Sequence, residues 1–176
     1  MLSKETLDKY KPWLISVAKT GSSTLPWIDN PHDIDYIFYV TDNHDARKMF
    51  EIQSKKPYNE CWLIDEFGRQ NMRIYAYEYH FLKPIYGEDF PTYDVLEHIP
   101  EYKEMLVIRG LDCDFDPLRK EWYHILTGIY LIQNGNYELT DEQAANVRLC
   151  HNRQMTQEIY NYMQEQLAKY AKELNL

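Results

Sequence analysis

Positive charge is scarce in this chain. Nineteen Lys and Arg stand against 28 Asp and Glu, giving a net charge of −9 and a pI near 5.1. A broad grip on a phosphate backbone needs a surplus of Lys and Arg on some face, so a long nucleic acid is a poor fit as substrate. A single nucleotide needs only a few cations and a metal and stays open, as do a small molecule, a protein and an RNA end as acceptor. Cysteine is scarce too. Cys61, Cys113 and Cys150 are odd in number, and no pair has metal-ligand spacing. The expectation is reduced thiols in a cytoplasmic protein. No run approaches the roughly 20 apolar residues of a membrane span, and the polar Met1–Glu5 start carries no signal-peptide pattern. Internal repeats and low-complexity tracts are missing as well. What is present is a hydrophobic share of 44% and an aromatic share of 15%, with sixteen tyrosines. That is enough for the core of one compact domain, or of a small domain with a helical appendage.

The stretch Thr20 to Val40 concentrates the chemistry. An apolar run leads into Thr20-Gly21-Ser22-Ser23, turn-like residues follow, and a second apolar run opens as Asp33-Ile34-Asp35. On a strand, alternate side chains share a face. Asp33 and Asp35 then project together, while Ile34 points the other way into a core. Two adjacent carboxylates are costly unless something positive lies between them. A divalent cation with oxygen ligands meets that need, and Mg²⁺ is the fitting ion. Glycine at 21 lets the backbone come close to a ligand.

Gly-Ser, a gap of about ten residues and Asp-hydrophobic-Asp resemble the signature of the DNA polymerase β-like nucleotidyltransferase superfamily, in its small bacterial and phage-type members. Leu82-Lys83-Pro84-Ile85-Tyr86-Gly87-Glu88-Asp89 is similar to a turn found downstream in such members, and Lys120 to Asn136 resembles part of their C-terminal helices. The resemblance implies an α+β fold: a nucleotidyltransferase-type mixed sheet with flanking helices, followed by a C-terminal helical bundle. It implies two Mg²⁺ ions on Asp33 and Asp35, and an NTP whose β- and γ-phosphates rest on Gly21 and Ser22. It also implies a third carboxylate on a neighbouring strand. Glu78 is the first candidate for that role, as catalytic residue and metal ligand, and Asp65 the second. Lys83 could neutralise the triphosphate, or be a solvated lysine before a proline. The implied activity moves NMP, with AMP from ATP as the first expectation, to an acceptor hydroxyl. The alternative is a non-catalytic nucleotide- or partner-binding module, antitoxin-like, on the same fold. After Ser22 the sequence runs Ser23-Thr24-Leu25-Pro26, where many members carry an arginine and a second glycine. That implies a triphosphate grip that is weaker or relies on other cations.

Periodicity divides the chain into a mixed α/β part over 1–90, which the resemblance makes the catalytic core, and a helical region over 91–176. A short helix runs from a Ser3 cap to about Tyr10, and a strand covers Trp13 to Ala18. Asp33 to Val40 reads as a central strand covered on both faces. A helix follows from Asp42 or Asn43 to about Ser54, then a hairpin of Cys61–Phe67 and Met72–Tyr79. Tyr86 to Asp89 reads as a turn. Short helices are expected over Tyr93–His98 and Glu101–Ile108. Asp116 caps a helix from Pro117 to about Gln133, with Leu118, Trp122, Ile125, Ile129 and Ile132 as its buried stripe. Thr140-x-x-Gln143 reads as a capping box. It opens a last helical stretch to about Lys172 that breaks near Asn152, with Val147, His151, Met155, Ile159, Met163, Leu167 and Tyr170 inward.

Overall fold

The computed structural model describes residues 4–8, 12, 14–40, 61–64, 83–87 and 95–176. They fall into two compact units, one holding the described residues up to Gly87 and the other those from Val95 onward. The first unit begins with a short helix α1 (Lys4–Asp8), followed by strand β1 (Leu14–Thr20) and a 3₁₀ turn (Gly21–Thr24). Strands β2 (Asp35–Val40), β3 (Cys61–Ile64) and β4 (Lys83–Tyr86) complete it. The strands form one sheet in the order β3-β2-β1-β4. β1 is antiparallel to β2 and to β4, whereas β2 and β3 run parallel. A parallel neighbour needs a crossover of a dozen or more residues, and residues 41–60 supply that length.

The centre of the sheet is covered on both faces. Tyr36, Ile37 and Phe38 in β2 and Val17 and Ala18 in β1 are fully buried. This is why β2 carries an almost unbroken apolar run instead of an alternation. β2 begins at Asp35, two residues later than the sequence reading put it, and Asp33 and Ile34 lie in its lead-in. Ile34 is only half-buried there, not sealed in a core. β1 in turn extends two residues past Ala18, to Thr20.

The strand β4 corrects the reading of Tyr86 as the start of a turn. Lys83–Tyr86 pairs with the β1 segment Val17–Lys19 and is a strand, and Gly87 after it has a positive φ; Glu88 and Asp89 lie outside the described residues. Pro84 hid this strand, because proline is excluded from central strands and tolerated at edges. Gly87 has φ +81, and a Cβ there would strike the Ile15 carbonyl and come within 2.8 Å of Ser16 Cα. The chain therefore leaves the sheet against β1 at a position where only glycine fits.

The second unit consists of helices α2 (Ile99–Gly110), α3 (Trp122–Asn134), α4 (Asp141–His151) and α5 (Gln157–Leu174), with their connecting turns. Residues 95–98, the described part of the first of the two short helices expected, are a turn, and the second is the longer α2. It packs against α5 and α3, and α3 packs against α4. The approach of α2 to α3 is close: a Cβ on Gly128 would lie 2.7 Å from the Tyr102 hydroxyl. α3 starts later than Pro117. Asp116 accepts the Leu118 N–H through Oδ1 (2.9 Å) and the Arg119 N–H through its carbonyl (3.1 Å), which makes a separate tight turn. That turn carries Leu118 outward, leaving it 68% exposed, while Trp122, Ile125 and Ile129 are buried as the spacing requires. Gly135 closes α3 in the left-handed region. Thr140 and Gln143 form the complete capping box of α4. The break after His151 is real, and Thr156 caps α5 by accepting the Ile159 N–H. Val147, His151, Met155, Met163, Leu167 and Tyr170 are all buried.

Candidate functional site

The site is built at the end of β1. Thr20, the last residue of that strand, pairs across the sheet with Asp35, the first residue of β2. Directly opposed residues of an antiparallel pair share a face, so the Thr20 and Asp35 side chains lie on the same side. The chain then turns sharply. Gly21 has φ +67, and a Cβ placed on it would lie 2.5 Å from Asp35 Oδ2. The turn is thus laid against the Asp35 carboxylate, and the missing side chain is what allows it.

Three further bonds fix the turn. Ser23 Oγ donates to the Thr20 carbonyl (3.0 Å), Thr24 Oγ1 donates to the Gly21 carbonyl (2.8 Å), and the Leu25 N–H donates to the Ser22 carbonyl (3.3 Å). The hydroxyls of Ser23 and Thr24 are therefore committed to holding the backbone. Ser22, 4% exposed, makes no side-chain hydrogen bond among the described residues. Of the four turn residues it is the one whose hydroxyl is available to something brought in.

The sequence-predicted residues distribute as follows. Gly21, Ser22 and Asp35 come together at one end of the sheet. Asp33 is half-buried in the lead-in to β2, two residues upstream of Asp35. Lys83 pairs with Lys19, and Lys19 in turn pairs with Tyr36. Alternation along β1 puts that row on the sheet face opposite Thr20 and Asp35. Lys83 is exposed there and does not join the Gly21–Asp35 group. Glu78 and Asp65, the two candidates for a third carboxylate, lie outside the described residues, as do the helix expected after Asp42 and the hairpin arm Met72–Tyr79.

Asp33 and Asp35 offer two hard oxygen donors, the kind Mg²⁺ takes. Among the described residues no group of three His, Cys, Asp or Glu stands together as a metal site. The Asp35 carboxylate against the Gly21 turn is the kind of oxygen donor such a cation binds.

The two helical histidines belong to the second unit. The His124 ring stacks on Tyr123 at 3.8 Å, and His151, 6% exposed, meets Tyr123 edge-on at 4.9 Å. His32 is exposed in the loop before β2. Among the described residues no helix is long and apolar enough to cross a membrane.

Comparison with known proteins gives one likeness. No protein-family model matches the chain, and no curated protein does. Among solved structures it is similar to spectinomycin adenyltransferase AAD(9) from Enterococcus faecialis, determined with ATP and spectinomycin. The identity is 16% and the TM-score 0.48, over 95% of this chain and 100% of that one.

Sequence reasoning overlooked Thr20, Ser23 and Thr24. Four hydroxyl residues in the run Thr20 to Thr24 were a visible signal that this turn is held by side chain-to-backbone bonds. The pairing of Thr20 with Asp35 was not visible, because it depends on the register between β1 and β2.

Proposed function

We propose that the chain is a metal-dependent nucleotidyltransferase that moves NMP, AMP in the first instance, from an NTP to an acceptor hydroxyl. One observation carries this reading: the Gly21 turn, with its free Ser22 hydroxyl, is seated on the Asp35 carboxylate. A phosphate chain needs N–H and O–H donors, and a cation needs carboxylates. Here the two kinds of group share one strand end.

In this reading the Gly21 and Ser22 N–H groups and the Ser22 hydroxyl bind the terminal phosphates of the donor. Asp33 and Asp35 hold Mg²⁺, which when bound supplies charge neutralisation at the transferred phosphate and at the leaving pyrophosphate. The rigid Ser23 and Thr24 bonds keep the turn in one shape, so the donor is oriented without further ordering cost. The third carboxylate of this reading is Glu78 or Asp65, whose role would be to draw the proton from the acceptor hydroxyl. Lys83 has no part, since it lies on the other face.

The test is calorimetric titration of ATP with Mg²⁺ into the wild type and the Asp33→Asn/Asp35→Asn variant. The wild type is expected to bind and the variant to lose binding while keeping its melting temperature. A wild type silent to ATP, GTP, CTP and UTP would sink the reading in favour of a partner-binding module.

A further inference from the structure

Thr20 carries a hydroxyl that the fold does not use. The residue is fully buried, and its Oγ1 has no hydrogen-bond partner among the described residues. Buried hydroxyls are nearly always bonded, and an exception calls for a reason. Packing alone does not ask for a hydroxyl here, since valine has the same shape without the polar atom. Thr20 is directly opposed to Asp35, and paired residues in an antiparallel ladder have Cβ atoms roughly 4.5–5.5 Å apart. A small rotation of the carboxylate brings one of its oxygens into reach of that hydroxyl. The next residue, Gly21, has no Cβ and lies against Asp35 Oδ2. The unused donor, the carboxylate and the cradle are consecutive around one strand end.

We infer that Thr20 is a positioning residue for Asp35, its hydroxyl donating to the carboxylate oxygen that a bound divalent cation leaves over. This rests on the reading of Asp35 as a metal ligand. A carboxylate that ligates through one oxygen is oriented by a bond to the other, and such outer partners are worth 10–100-fold in metal affinity. The hydroxyl is buried, so it touches neither the cation nor the nucleotide and acts only through Asp35. Ser16 provides an internal control. It too is fully buried with an unpartnered hydroxyl, but it lies four residues back along β1, beneath Gly87.

The experiment uses the full chain with Mn²⁺ and a non-hydrolysable ATP analogue, following bound Mn²⁺ by paramagnetic resonance. Thr20→Val and Thr20→Ala are expected to weaken Mn²⁺ at least tenfold. Thr20→Ser should restore it, and Ser16→Ala should leave it unchanged. The melting temperature of Thr20→Val without metal should not fall, because a buried unbonded hydroxyl has been replaced by a methyl group. Unchanged Mn²⁺ affinity in Thr20→Val and Thr20→Ala, with the wild type binding, overturns this inference and leaves the site reading standing. Thr20→Ser as weak as Thr20→Val overturns it as well, since shape would then be the cause. A wild type that takes up no Mn²⁺ overturns the site reading and this inference together.

Discussion

The contact between Gly21 and Asp35 can be measured by giving Gly21 a side chain. In Gly21→Ala two effects add. The first is conformational: an L-residue at φ +67 costs about 1–2 kcal/mol, offset by about 0.4–1 kcal/mol because alanine stiffens the unfolded chain. The second is steric. The new methyl would lie 2.5 Å from Asp35 Oδ2, well inside the 3.4 Å at which ordinary contact begins. Forcing the carboxylate or the turn aside is an overpacking error, typically about 1–3 kcal/mol. Gly135→Ala measures the first effect alone, since its φ is +68 and nothing lies within 4 Å of the added atom. Asp35→Ala removes the second. The remaining Asp35 atom near Gly21 is then Cβ, at an ordinary 3.7 Å. Urea denaturation of the four proteins of the Gly21/Asp35 cycle should give a coupling of about 1–3 kcal/mol. Gly21→Ala should cost about 2–4 kcal/mol in the wild-type background and about 1 kcal/mol beside Asp35→Ala. If Gly21→Ala costs no more than Gly135→Ala, or costs the same with and without the carboxylate, the close approach is wrong and the site geometry falls with it.

Other tests address the helical unit. Thr140→Ala removes the oxygen that accepts the Gln143 N–H, and should lower stability by about 1 kcal/mol in denaturant titration; no loss would discount the capping box. Leu167→Ala opens a cavity at a fully buried position of α5 and should cost about 2–5 kcal/mol, read as a lowered urea midpoint. Burial pushes the Cys150 thiol up to about 12, whereas Cys113 is only half-buried, its Sγ donating to the Arg109 carbonyl at 2.9 Å. A thiol reagent at pH 8 should therefore label Cys113 well before Cys150, and equal rates by peptide mapping would refute this. Tyr170 is likewise raised by burial to about 12. Both groups are held protonated by the fold, so their contribution is full below their unfolded values of 9.0 and 10.0. It is lost as pH rises toward about 12. Stability measured between pH 8 and 11 should decline, and a flat profile would contradict the burial of both.

Local rules made much of this fold legible. The capping box at Thr140, the glycine stop at Gly135 and the inward stripe from Val147 to Tyr170 are all short-range patterns, set by hydrogen bonds within one turn or by helical period. They appear where the residues place them. The misplacements have a common cause. β4 is a strand only because β1 lies beside it, and nothing in Lys83-Pro84-Ile85-Tyr86 announces a partner 64 or more residues upstream. Leu118 fits the stripe of α3 by spacing, but the Asp116 turn claims the backbone first. In the site, Gly21, Ser22, Asp33 and Asp35 were visible as a motif. That Thr20 faces Asp35 and that Lys83 lies on the other face of the sheet was not, because both follow from which residue stands opposite which across it. A one-residue change of register would reverse them.

Pro84 has one more consequence, for how the molecule meets copies of itself. β4 is the outer strand beside β1 among the described residues, and such a rim is where a sheet can recruit a foreign strand and grow. Proline brings no N–H to that rim, Lys83 next to it adds a charge, and the strand is only four residues long. The same short segment that finishes the sheet on its inner side makes a poor template on its outer one. A short, charged, proline-bearing rim of this kind disfavours edge-to-edge growth of a sheet.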